Sequence, residues 1–122
     1  MNARYRILAD QGYVVVTLEG SVTLPELGAH IQTVWADPAW NPAFNGIVDC
    51  AAATVDISEQ DLQDLTKAMA KDPRCSLSKW AFVVSTAAAF AKFRKVDQVA
   101  DPRSTIHIFF DHRLAEDWIL RP

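Results

Sequence analysis

This chain has little of what identifies a chemistry at sight. Its 122 residues include only two cysteines and four glycines. Cys50 and Cys75 form no CxxC pair, and in a domain with ample core they read as free thiols rather than a disulfide framework; a metal site has no support either. The glycines form neither GxGxxG nor a Walker pattern, so nothing supports a nucleotide held by a glycine-rich loop, and no cofactor is expected. An excess of one charge is missing too. Twelve basic and 15 acidic residues are mixed along the whole length, for a formal charge of −3. Without a phosphate-tracking stripe, a nucleic-acid partner is not expected. The opening Met1 to Arg6 lacks the apolar block of a signal peptide, and no stretch approaches the ~20 apolar residues of a membrane span. The cytoplasm is the expected compartment, with no membrane insertion. No repeat or linker divides residues 1–122, which are expected to form one domain.

What is present is apolar patterning, since half of the residues are hydrophobic. A chain of this size buries roughly two thirds of its unfolded surface. Arg4 to Ala9 and Tyr13 to Glu19 are β-like and flank Asp10-Gln11-Gly12, a hairpin signal. Val14, Val15, Val16 and Leu18 are nearly continuous, which suits a strand inside the sheet and covered on both faces. Thr23-Leu24-Pro25-Glu26 has the form of a capping box with an early proline. The helix it starts places Leu24, Leu27, Ile31, Val34 and Trp35 on one face and closes at Asp37-Pro38. Trp40 and Phe44 in the next loop are expected to pin it to the core. Gly46 to Cys50 predicts a strand, followed by a long turn. Ser58-Glu59-Gln60-Asp61 then caps a helix with Ile57, Leu62, Leu65 and Met69 inward, ended by Lys71-Asp72-Pro73.

Trp80 to Ser85 predicts a short strand, and Thr86 begins a third helix. Phe90, Phe93 and the neighbouring alanines of that helix point inward, with Lys92, Arg94 and Lys95 on its other face. Thr105 to Phe110 is the last strand, and Asp111 caps a final helix expected to bury Leu114, Trp118 and Ile119. The order ββαβαβαβα predicts an α/β fold, a mixed and mostly parallel sheet of about five strands with four helices on its faces.

Two segments carry a resemblance. Ile47-Val48-Asp49 leads through Val55-Asp56-Ile57 into the Ser58 helix, and Ile108-Phe109-Phe110-Asp111-His112 runs into Ala115-Glu116-Asp117-Trp118-Ile119. The first resembles the strand, turn and serine-bearing helix of the STAS-like superfamily, the fold of anti-sigma factor antagonists. The second resembles the closing strand and alanine-tryptophan helix of its SpoIIAA-like branch of small bacterial proteins. The resemblance implies a non-enzymatic regulatory or protein-interaction module, with a protein partner or a homodimer. In antagonist members a serine at the start of the second helix is phosphorylated, and that position falls on Ser58. A helix start is able to hold phosphate. By its own residues Ser58 also reads as a capping-box residue, with Glu59 and Asp61 set to repel a phosphate.

Other residue groups are weaker. Cys50, His107 and His112 with the aspartates suggest a thiol and its base only on paper. No nucleophile motif surrounds Cys50, and no catalytic set is expected. His107 alternates with Ile106 and Ile108 and so points to the opposite face from theirs, under a helix or at a pocket mouth. Ser85-Thr86 and the following alanines offer a helix start where an anion is able to approach backbone N–H groups, or simply close packing. The alternative function uses the third helix: a small lipophilic or anionic ligand beneath it, lined by Phe90 and Phe93, with Ser85, Thr86, Lys92, Arg94 and His107 completing the pocket.

Overall fold

The computed structural model describes residues 1–73, 78–99 and 106–121, with side chains for all of these except 95–99. The order of elements is β1 (Asn2–Leu8), β2 (Tyr13–Val22), α1 (Leu24–Trp35), β3 (Asn45–Val55), α2 (Glu59–Lys71), β4 (Trp80–Val83), α3 (Ala87–Val99), β5 (Ile106–Phe109) and α4 (His112–Ile119). Five strands lie in the order β1-β2-β3-β4-β5. β1 is antiparallel to β2, and the remaining pairs are parallel. This is the mixed α/β sheet with four helices that the sequence predicts. Cys75, the Thr105 start of the last strand and the Lys95 side chain lie outside what is described. Among the described residues no helix is long and apolar enough to cross a membrane.

A right-handed crossover repeated in one direction puts every connecting helix on the same face of the sheet. The core has that form. Leu27, Ile31 and Val34 of α1, Leu62 and Met69 of α2 and Phe93 of α3 join Val14, Val16, Leu18, Val48, Phe82 and Ile106 in one buried cluster. The alternate residues face the other way, because side chains alternate along a strand. There Tyr13, Ile47, Ala81 and Val83 meet Ala115 and Ile119 of α4. Among the described residues α4 alone roofs this second face. The expectation that the β2 valine run is covered on both sides therefore fails at Val15, which is only partly buried.

α4 is held at both ends. Asp111 accepts the Arg113 N–H at 2.7 Å. At the far end the Asn45 amide donates to the Ile119 carbonyl at 2.8 Å, and the Lys79 ammonium donates to the carbonyls of Trp118 at 3.1 Å and Arg121 at 2.7 Å. A cation there also meets the negative end of the helix dipole. Leu114 corrects the expected inward set, being 57% exposed. At about 100° per residue it lies well around the helix from Ala115 and Ile119, which take the sheet-facing positions.

Strand β3 departs most from expectation. It does not turn after Cys50 but continues to Val55, paired with the far half of β2 from Glu19↔Ala52 to Val22↔Val55. Three alanines have little strand preference of their own, and the neighbouring β2 backbone overrides that. Between Thr17↔Asp49 and Glu19↔Ala52 the register shifts, so β3 carries one extra residue, a bulge. Trp80 lies across Gly46 on the next strand, where any β-carbon would meet its ring. Trp40 packs at 6.0 Å from Trp80 and 5.9 Å from Phe44, pinning the loop.

At α1, Thr23 makes only part of the expected box. Its hydroxyl donates to the Glu26 carboxylate at 2.9 Å and accepts no helix N–H.

Candidate functional site

In parallel sheets the ends where the strands stop are where ligands and partners find side chains unencumbered by the ladder. Here β4 ends at Val83 and β5 at Phe109, while β2 and β3 run on together. The step between them is the β3 bulge, and it builds a polar cluster. Asp49 Oδ1 accepts the Ala51 N–H at 2.9 Å across the bulge, and the Ser85 hydroxyl donates to the Ala51 carbonyl at 2.6 Å. With one carboxylate oxygen so fixed, Asp49 turns Oδ2 to His112 Nδ1 at 2.9 Å. His112 stands at the first position of α4, and its Nε2 lies 3.1 Å from Glu116 Oε1 one turn on. A ring protonated on both nitrogens donates to both carboxylates, a neutral ring to one of them. Both nitrogens being engaged, His112 presents none to a nucleophile in this arrangement.

The grouping of His112 with Asp49 and Glu116 is what sequence reasoning missed, since on paper it set His112 beside Cys50. The sequence places His112 one residue past a cap, where exposure is the default, and Asp49 lies 63 residues away. The available signal was local: His112 and Glu116 are spaced i, i+4 on one helix flank.

The named candidates separate. Ser58 caps α2, accepting the Asp61 N–H at 3.1 Å, and is exposed. It lies beyond the end of β3, roughly 20 Å along the strand from Asp49 at ~3.3 Å per residue. Thr86 caps α3 by accepting the Ala89 N–H at 3.1 Å. The Lys92 ammonium donates to the Ile57 carbonyl at 3.0 Å and reaches the Val55 carbonyl at 3.4 Å, tying α3 to the chain just before Ser58. Phe93 is buried against Phe82 with ring centroids 5.5 Å apart. Phe90 stacks on Phe110 at 4.2 Å, with Arg94 5.9 Å from the Phe90 ring. His107 is on the opposite face from Phe93, edge-on to Trp118 of α4 at 4.6 Å. Cys50 is buried, and burial, with the Asp49 charge adding, pushes its thiol up to about 12. It faces the helix-covered side, away from His112.

Beside this polar cluster the edge is apolar. Phe110 is 52% exposed, and Leu114 stands out from the first turns of α4. Among the described residues no three histidine, cysteine, aspartate or glutamate side chains are placed to hold a metal ion. The fold and site thus define an α/β domain with a polar and an apolar surface at the carboxyl edge of its sheet. Comparison of the chain with protein-family models, curated proteins and solved structures finds no match.

Proposed function

We propose that this chain is a non-enzymatic regulatory or protein-interaction module of the STAS-like type, docking a protein partner or a second copy of itself through the carboxyl edge of the sheet. One observation carries the reading. Phe110 and Leu114 are large apolar side chains more than half exposed, and Phe110 is backed by the stacked ring of Phe90. Exposed apolar patches mark interaction sites, and aromatic side chains are the usual anchors within them. The buried, high-pKa thiol of Cys50 and the fully engaged ring of His112 further support binding over covalent catalysis. The alternative, a ligand beneath α3, has less behind it. Phe93 already packs on Phe82, and Lys92 is engaged by two backbone carbonyls.

The test is a Phe110→Ser, Leu114→Ser double variant compared with the parent protein by sedimentation velocity and by affinity capture from the host. The parent is expected to self-associate or retain a partner that the variant loses, with unfolding stability nearly unchanged. Identical sedimentation and identical captured proteins would remove this edge as the docking surface.

A further inference from the structure

α4 leaves the β1–β2 end of its face uncovered, and a groove of about 590 Å³ runs there between the helix and the hairpin. A volume in this range suits a small organic molecule. Its floor is set by cross-strand register: Arg4 opposite Thr17, Arg6 opposite Val15, and Leu8 opposite Tyr13. Its wall is His112 and Glu116 of α4. Cations stand in the β1 column and carboxylates toward the β3 column, where Asp49 lies beside Thr17. Two strand spacings separate these columns, roughly 10 Å.

The charges on the two sides are not equally engaged. Arg4 is paired with Glu19 at 3.4 Å, whereas Arg6 makes no ion pair among the described residues. On the wall, His112 takes Glu116 Oε1, and Oε2 makes no hydrogen bond or ion pair among the described residues. Tyr13 lines the same groove. Burial chiefly raises its phenol, the Glu116 charge adds to the rise, and Arg6 opposes it, so both charges are felt at one point on the floor.

We propose that this groove binds a small amphoteric molecule, its carboxylate received by Arg6 and its protonated amine by Glu116, with the intervening chain lying over Val15. A simple anion would face the Glu116 carboxylate, and a simple cation would face two arginines; only a ligand with both ends matches both sides. His112 is a positioning residue here, holding Glu116 in place from its own anchor on Asp49. The site is separate from the docking surface above. At about 100° per residue, His112 and Glu116 lie on one flank of α4 and Leu114 on the other.

The experiment is an NMR titration of the isotope-labelled full chain with three probes of equal length: 6-aminohexanoate, adipate and 1,6-diaminohexane. Saturable shifts centred on Arg6, Tyr13, Val15 and Glu116 are expected with 6-aminohexanoate, and much weaker ones with the other two. Arg6→Gln and Glu116→Gln should each weaken that binding about tenfold, while Lys67→Gln on the exposed side of α2 leaves it unchanged. The amide spectra of the variants report directly that the fold persists. Equal response to all three probes, saturation by adipate alone, or no saturable shift in the groove would overturn the proposal. So would shifts at these residues that depend on protein concentration without any probe, which would assign the groove to a second copy of the chain.

Discussion

The two faces of the sheet are made by the same strands and differ in almost every physical respect. On one, Val14, Val16 and Leu18 of β2 lie under three helices and are lost to solvent. On the other, Val15 and Thr17 of that strand are partly open, because among the described residues only α4 packs there, over β3, β4 and β5. Right-handed crossovers dictate the first face, and three connections give it three roofing helices. The second face receives whatever follows the last strand. One eight-residue helix cannot span five strands, so a groove is left. Stability resides on the face that connectivity covers, and the groove on the face it leaves open.

Side-chain truncation tests that contrast most strongly. Leu18 is fully buried on the covered face, and Leu18→Ala should cost about 2–5 kcal/mol through lost burial and the cavity left behind. Val15→Ala, three residues away on the same strand but on the open face, should cost less than about 1 kcal/mol. Urea denaturation measures both, and equal losses would abolish the distinction between the faces.

A smaller effect is expected where the roof of the covered face is nucleated. Ser58→Ala removes the hydroxyl that accepts the Asp61 N–H and should lower stability by about 1 kcal/mol. The melting temperature would register that loss, and an unchanged value would show that α2 is held by packing alone.

The smallest effect is a pH slope from His30 on α1. Burial, the larger cause, lowers its pKa, and a hydrogen bond with the Arg4 backbone opposes the shift. The unfolded chain therefore takes up the proton first as pH falls. Stability should decline from about pH 7 downward through the ordinary histidine range. Replacing His30 with Gln should flatten that decline, and a slope unchanged by the substitution would assign the loss to other groups.

Much of this fold is legible in the residues themselves. Gly12, with φ of +76°, turns the hairpin between the two opening strands. Ser58 and Asp111 each cap the helix that their side chains announce. Trp40 and Phe44 pin their loop as large aromatics beside a core do. The candidate site is far less legible. Leu114 looks like a core residue by type, and its exposure follows from where α4 lands. The extension of β3 through Ala51 to Val55 runs against local preference and exists because β2 continues alongside it.

By itself, then, the sequence determined the order of elements, the Ser58 and Asp111 caps and the apolar stripes of α1 and α2, because periodicity and capping act over a few neighbouring residues. Tertiary structure alone decided the bulge that aims Asp49 at His112, the open end of the second face, and the facing of Arg6 and Tyr13 toward Glu116. Each of these depends on groups far apart in sequence, whose meeting is set by strand register and by the landing of the final helix rather than by any local pattern.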